Sequence, residues 1–392
     1  MKQKEDSHII YILTKLELGG AQKICLALFE DIQKKGITTT LITGTQGALV
    51  PTVQDKKNVT FIPSLVRQVT LTSIRQDIAC LTELVRNLRI SKKKYAQVLV
   101  HTHSTKAGIL GRLAAWWVSV KVIHTIHGYG FNAYQPKMVR WAIYGIELLL
   151  SRCTTHYICV SRTDAKTGIR LFPGFKDKHT IIRAAVDHEL FKRSLVQAPC
   201  FPQAPAHFIF GTISCFKPQK NLKDLIRAFA QVHSRMPHAR FEVIGDGVER
   251  PELETLVKEY HLSDYVIFHG WQHDISPYVK RWHTFVLSSL WEGLPCAVIE
   301  ARLLHIPVVC YNTGGIHEVI LHGYNGFLVE RGNLHMLAHH MLTLITSSDI
   351  YYRLQAYQDD FADFGIPTMI DDHTNVYRSL LKKESSSDYA KK

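Results

Sequence analysis

Residues 284–310 read TFVLSSLWEGLPCAVIEARLLHIPVVC. Thr284 to Leu287 is a short apolar run that predicts a buried strand. Pro295 suits the first turn of a helix running Cys296 to Leu304, and Pro307 to Cys310 reads as the next strand. Two short buried strands joined through a helix are a unit of a parallel sheet covered on both faces.

The same rhythm extends outward. Upstream lie strand His207 to Thr212, helix Leu222 to Ser234, strand Arg240 to Gly245, helix Glu249 to Tyr260 and strand Val266 to His269. Further toward the N-terminus, Ile9 to Leu13, Thr38 to Ile42, Val98 to His101, Val122 to Thr125 and Tyr157 to Val160 predict strands. Ala21 to Lys35, Ile74 to Leu88 and Thr105 to Trp117 have helical period between them. Between the two halves, Gln197 to Pro205 holds three prolines in nine residues, which stops both helix and strand. The expected fold is α/β, with two doubly wound Rossmann-like domains facing across a cleft. We expect an N-terminal domain over 1–196, a linker over 197–206 and a C-terminal domain over 207–365. Asn333 to Tyr357 and Met369 to Leu381 read as closing helices. The last, placed at 366–382, is expected to pack back on the N-terminal domain, with a frayed end after Lys382.

The 392 residues suit two domains of ordinary size, and an apolar fraction of 46% with 21% charged residues excludes a disordered or fibrous chain. No apolar run reaches the roughly 18 residues of a membrane span. The N-terminal Met1 to Asp6 lacks the pattern of a signal peptide, which implies the cytoplasm. Eight scattered cysteines without a C-x-x-C pair read as buried thiols. The formal charge of +13 is divided unevenly, because residues 1–200 hold 29 Lys and Arg against 13 Asp and Glu, and the remainder 18 against 21. A basic half of this kind suits an anionic partner: a membrane surface, phosphate-bearing lipid or nucleic acid. A solvated basic face is the alternative.

Several segments at strand ends carry groups suited to chemistry. Gly19 and Gly20 open the helix after the first strand, where free amides can meet a phosphate, although the pattern is neither G-x-G-x-x-G nor a P-loop. His101, His103, His124 and His127 cluster at the ends of two later strands, without the carboxylates or thiols of a zinc site. His101 and His124 read as structural, and His127, followed by Gly128, as the better site candidate. Lys217 and Lys220 precede a helix N-terminus, where either can neutralise a leaving diphosphate; a surface lysine pair is the alternative. Glu292 in a strand-leaving loop and Glu300 one and a half turns into the following helix can accept hydrogen bonds from sugar and ribose hydroxyls without a metal. Asp359-Asp360 and Asp371-Asp372 read as solvated or capping residues.

At this point the chain resembles the retaining glycosyltransferases of family 4, whose two-Rossmann-domain architecture is called GT-B. The resemblance covers nearly the whole sequence. It rests on Leu18 to Gln22, His103-Ser104, His127-Gly128, Val160-Ser161, Val186-Asp187, Lys217 to Asn221 and Gly245-Asp246-Gly247. It continues through the E-x7-E pair Glu292 and Glu300, Thr313 to Val319, and Gly323 to Phe327.

The resemblance implies sugar transfer from a nucleotide-sugar donor, UDP most commonly, to an acceptor hydroxyl with the anomeric configuration retained. It implies that Lys220 binds the donor diphosphate, with Gly19 and Gly20 across the cleft, and that Glu300 binds the ribose. Glu292, with the amides of Gly293 and Leu294, would hold the donor sugar, and Gly245 would border the donor site. His127 would touch the sugar near its reacting carbon, and His103 and Ser104 would meet the acceptor. His127, Lys220 and Glu292 are thus the candidate catalytic residues. No metal or other cofactor is expected. Many members carry Gly-Arg-Leu where this chain has Ser214-Cys215-Phe216, so Cys215 replaces a diphosphate-binding arginine and Lys217 is the candidate substitute.

The leading expectation is therefore a glycosyltransferase of surface polysaccharide or glycolipid synthesis, acting on a lipid-linked or saccharide acceptor. The basic half would hold it peripherally on the inner face of the cell membrane through Lys92 to Lys94 and Lys137 to Arg152, although the latter also reads as a core helix. The alternatives are a nucleotide-sugar epimerase or phosphorylase on the same fold, and a basic nucleic-acid-binding protein. The last would leave the cleft motifs without a purpose and lacks interleaved aromatics, so no nucleic acid is expected.

Overall fold

The computed structural model describes residues 5–66, 73–189, 200–201 and 207–381. They form two compact units, one from Met1–Arg183 with Pro367–Lys392 and the other from Ala184–Ile366.

The sheet of the first unit contains β1 (Glu5–Leu13), β2 (Thr38–Thr43), β3 (Val59–Phe61), β4 (Tyr95–His103), β5 (Lys121–Ile126), β6 (His156–Cys159) and β7 (His179–Ile181). These strands are parallel in the order β3-β2-β1-β4-β5-β6-β7. In register, His8 lies between Thr38 and Val98. Ile9 to Leu13 are all buried because helices cover both faces of the sheet, which is why the strand reads as an unbroken apolar run. The connecting helices are α1 (Gly20–Lys34), α2 (Ser73–Lys94), α3 (Thr105–Val118), α4 (Lys137–Ser151) and α5 (Arg162–Leu171). Helix α1 buries Ile24, Cys25, Leu28, Phe29 and Ile32, one stripe at helical spacing. Ser161 caps α5 by accepting from the Asp164 amide.

In the second unit, β8 (Phe208–Ile213), β9 (Ala239–Ile244), β10 (Val266–Gly270), β11 (Thr284–Leu287), β12 (Val308–Tyr311) and β13 (Gly326–Val329) are parallel in the order β10-β9-β8-β11-β12-β13. Helices α6 (Leu222–His233), α7 (Arg250–Glu259), α8 (Ser276–Val279), α9 (Cys296–Leu303), α10 (Leu334–Thr346) and α11 (Ser348–Gln355) flank it. Gly211 leaves room for the buried Trp282, since a Cβ there would lie 1.9 Å from the indole. The closing helix expected over 333–357 is two helices, because the Ser347 hydroxyl accepts from the Ile350 amide and starts a new one. The last helix, α12 (Ile366–Leu381), belongs to the first unit. There the Tyr377 hydroxyl meets Tyr11 at 3.2 Å and His101 Nδ1 at 2.7 Å.

Three expectations need correction or qualification. Of the linker at 197–206, only Cys200 and Phe201 lie within the described residues, and Phe201 packs edge-on against Phe208 and Tyr351. The cysteines are not uniformly buried: Cys25, Cys80, Cys159 and Cys310 are, Cys153, Cys215 and Cys296 are partly so, and Cys200 is exposed. Asp359 is not solvated, because the wholly buried Arg302 donates to it through Nε at 2.8 Å and Asn325 through Nδ2 at 2.6 Å. Asp360 does cap the turn at Ala362. Among the described residues, no helix is long and apolar enough to cross a membrane.

Candidate functional site

In an open parallel sheet, ligands bind beyond the strand carboxyl ends where the strand order reverses. In the second unit that point lies between β8 and β11, and the loops leaving these two strands carry the lysines and glutamates expected from the sequence. The two loops are stitched together. The Leu290 amide donates to the Gln219 carbonyl at 2.8 Å, and Gln219 Nε2 donates to the Trp291 carbonyl at 2.8 Å. Ser288 Oγ donates toward the Asn221 and Lys220 carbonyls at 2.7 and 3.1 Å. At the end of this seam, Lys220 Nζ donates to Glu292 Oε1 at 2.5 Å. A lysine and a carboxylate thus share a site built from chain segments 72 residues apart.

Neighbouring loops complete the floor. Gly314, at φ +56°, lets the β12 loop pass so close that a Cβ would lie 2.0 Å from the Glu292 carbonyl oxygen. The Gly315 amide then donates to Gly293 at 2.7 Å. Gly245, at φ +126°, brings the β9 loop against the Ser214 carbonyl, where a Cβ would be 1.9 Å away. Gly293 and Leu294 are buried beside Glu292, and Glu300 is buried on α9. Lys217 sits in the turn whose carbonyl receives the Lys220 amide at 2.9 Å, with its side chain partly exposed. The structure therefore brings Lys217, Lys220, Gly245, Glu292, Gly293, Leu294 and Glu300 to one end of one sheet. Gln219 and Ser288, which tie the two loops together, are not among the residues expected from the sequence. Both lay inside segments already singled out, but their role depends on a partner loop far away in sequence.

In the first unit the order reverses between β1 and β4. Thr14 Oγ1 and Ser104 Oγ are 2.7 Å apart across that point, and Thr14 also accepts from the Ala107 amide at 3.3 Å. Gly19 caps α1 and Gly20 begins it, both partly exposed. His127 follows β5, next to Gly128 at φ +92°. His103 Nδ1 lies 3.1 Å from His127 Nε2, so one proton is shared between the rings. His103 is completely buried and, among the described residues, its Nε2 has no hydrogen-bond partner. Its ring neighbours are His101, Tyr11 and His127, so the side chain expected at the acceptor is enclosed among aromatic rings. Ser104 is partly exposed and engaged by Thr14.

His101 is interior as well, tied to Tyr377 and to Thr125 Oγ1 at 2.7 Å, and His124 Nδ1 pairs with Thr102 at 2.8 Å. Burial, reinforced by neighbouring imidazoles, holds His101 and His103 well below the ordinary histidine range; for His124 the Arg112 cation adds to burial. Burial, with His373 nearby, lowers His127 to about 4. His127 is therefore a neutral imidazole at neutral pH, able to donate or accept a hydrogen bond but carrying no charge. Among the described residues, no cluster of three or more His, Cys, Asp or Glu side chains could hold a metal ion.

With both switch points described, the comparisons identify the class. Residues 18–190 match the model described as "Glycosyltransferase Family 4", and residues 203–360 match "Glycosyl transferases group 1". The chain belongs to the family 4 glycosyltransferases and has the GT-B architecture. It is 29% identical over 325 residues to the UDP-Gal:alpha-D-GlcNAc-diphosphoundecaprenol alpha-1,3-galactosyltransferase of Escherichia coli, covering 81% of this chain and 82% of that one. It is 26% identical over 381 residues to the O-antigen biosynthesis glycosyltransferase WbnH of Escherichia coli, covering 95% and 98%. Among solved structures, Anabaena Alr3699/HepE in complex with UDP and glucose superposes with a TM-score of 0.77 at 20% identity, covering 95% of this chain and 99% of that one. Glycosyl transfer is thus the activity of this protein. The epimerase, phosphorylase and nucleic-acid readings find no support in these comparisons.

Proposed function

We propose that the protein is a retaining, metal-independent glycosyltransferase that moves a sugar from a UDP-sugar to a lipid-linked or saccharide acceptor in surface polysaccharide or glycolipid synthesis. The observation that carries this reading is the Lys220–Glu292 pair, held at the switch point by the Gln219 and Ser288 bonds, with Glu300 on the adjoining helix. The E. coli relative named for a UDP-galactose donor and a diphosphoundecaprenol-linked acceptor supports both substrate classes.

In this account Lys220 neutralises the departing diphosphate, on which charge accumulates as the bond to the sugar breaks. Lys217 adds a second cation where the resemblance expects an arginine and Cys215 stands instead. Glu292 and the Gly293 and Leu294 amides orient the sugar, Glu300 the ribose, and Gly245, Gly19 and Gly20 let backbone approach the donor. The acceptor oxygen bonds to the anomeric carbon on the face the diphosphate leaves, and a diphosphate oxygen takes the acceptor proton. Neutral His127 directs a hydrogen bond to the sugar and Ser104 to the acceptor. No metal is required because cationic side chains and amides carry the compensating charge. The enzyme works at the inner face of an anionic membrane, where a lipid-linked acceptor resides.

The test is nucleoside-diphosphate release from UDP-, GDP- and ADP-sugars in the presence of chelator, with and without lipid-linked acceptor. The reading expects turnover of a UDP-sugar that depends on acceptor, survives the chelator and gives the donor's anomeric configuration in the product. Turnover of another donor only, metal dependence or an inverted product would overturn the corresponding part.

A further inference from the structure

Helix α4 is apolar on two opposite faces. Inward, Tyr144 and Leu148 pack in a cluster with Phe131 and Phe172, while Leu150 is buried and Glu147 receives Arg112. Outward, Met138, Trp141, Ala142, Ile146 and Leu149 recur at i, i+3, i+4, i+8 and i+11, one stripe of the helix, and all are exposed. Met138 is 86% and Leu149 64% accessible. A helix apolar all round is ordinarily enclosed, so this outer stripe lacks the cover its composition calls for.

The stripe continues onto α3. The Arg112–Glu147 pair fixes these two helices side by side, and both run between parallel neighbouring strands, so both point the same way. Just over one turn beyond Arg112 stand Trp116 and Trp117, 61% and 63% accessible, as Leu149 stands two residues beyond Glu147 on α4. Lys92, at the end of α2, donates to the Val118 carbonyl at 2.7 Å, which brings the Lys92–Lys94 run beside the tryptophans.

The charges around this surface have one sign. Lys137 and Arg140 are exposed at the start of α4 and Arg152 at its end, and Arg140 stacks over Trp141 at 5.8 Å. From residue 84 to residue 163 the sequence has a single carboxylate, Glu147, and it is buried against Arg112. A protein groove complementary to an apolar stripe does not require such exclusion of acidic groups. An anionic lipid surface does, and tryptophans bordered by Lys and Arg suit the boundary between headgroups and acyl chains.

We propose that the outer stripe of α4, with the Trp116–Trp117 end of α3 and the cations beside it, is the surface by which this protein docks on an anionic bilayer. The inference rests on the proposed lipid-linked acceptor and identifies the surface that would present the enzyme to it.

The experiment uses the full chain and vesicles of phosphatidylcholine with or without phosphatidylglycerol. Flotation and the tryptophan emission shift are read together, since three of the six tryptophans lie on the proposed surface. The proposal expects co-flotation with phosphatidylglycerol vesicles, a blue shift, and at least tenfold weaker binding in Trp141→Glu/Leu149→Glu and in Lys137→Glu/Arg140→Glu. Tyr352→Glu, an exposed aromatic of the second unit, should bind as wild type. Thermal unfolding and transfer to a detergent-dispersed short-chain acceptor should be unchanged in all three. Equal binding by the α4 variants, binding only to neutral vesicles, or a dimer that these variants dissociate would overturn it. If wild type fails to float yet turns over its donor, the docking surface falls and the transferase reading stands; flotation without donor turnover has the converse meaning.

Discussion

His103 and His127 meet nitrogen to nitrogen at 3.1 Å across the ends of β4 and β5, and only His127 is partly exposed. If His103 supplies the shared proton, His127 keeps its own on Nδ1, and the tautomer that faces the substrate is set from behind. His103→Phe removes that bond and leaves His127 Nε2 unpaired. We expect a loss of about 1–3 kcal/mol in stability. A fall in kcat should accompany it, with donor KM little changed, if the lost bond orients the group proposed to act near the reacting carbon. Denaturant unfolding and steady-state kinetics check both; a changed KM at constant kcat would assign His103 to binding instead.

Gln219 pins together the loops that leave β8 and β11, using its backbone carbonyl and its side-chain amide on consecutive residues of the facing loop. Gln219→Glu cannot donate to the Trp291 carbonyl, so it should fail much as Gln219→Ala does. Both should lower kcat/KM for the donor by about tenfold, the cost of roughly one hydrogen bond of 1.4 kcal/mol. Activity retained in the Glu variant alone would show that the side-chain donor is irrelevant.

Arg112 and Glu147 form a buried pair in which one guanidinium nitrogen reaches both carboxylate oxygens, at 2.8 and 2.9 Å. Removing one partner strands a charge in the interior. Glu147→Gln should therefore cost about 3–5 kcal/mol, while the apolar double replacement Arg112→Met/Glu147→Leu recovers most of it. Chemical denaturation of the three proteins checks the order.

The histidine cluster makes stability fall in mild acid. His373 and His127 are lowered to about 4 by burial, and His101, His103 and His124 lie well below their ordinary value. The unfolded chain binds these protons first, near pH 6.5, so stability is complete above that value and declines as pH falls toward 4. His373 alone would contribute on the order of 3 kcal/mol at neutral pH. The midpoint of thermal unfolding should drop between pH 7 and pH 5, and His373→Phe should flatten the slope. A midpoint independent of pH over that range would contradict the burial of these rings.

Much of the fold could be read from the sequence because parallel strands covered on both faces are unbroken apolar runs, as in Ile9 to Leu13 and Thr284 to Leu287. The three-residue edge strands Val59–Phe61 and His179–Ile181 escaped that reading, since an edge position leaves them only partly buried and their residues carry no clear period. Helix α5 was also missed; its polar surface conceals the periodicity, although Ser161 and Asp164 mark its start. In the site, glycines and acids at strand ends were legible because each uses local geometry. The Gln219 seam, the burial of His103 and the Arg302–Asp359 pair were not, because each depends on residues brought together from distant segments.

The central claim is that Lys220 and Glu292 act together on one nucleotide-sugar. The most direct measurement is UDP release, under saturating acceptor, by wild type, Lys220→Ala, Glu292→Gln and the double variant. We expect each single variant to lose about 10²–10³-fold in kcat, as for removal of one group aimed at developing charge. The double variant should be little worse than the poorer single one, because the two act as a unit. Near-wild-type turnover in either single variant, or losses that simply multiply in the double, would contradict the account.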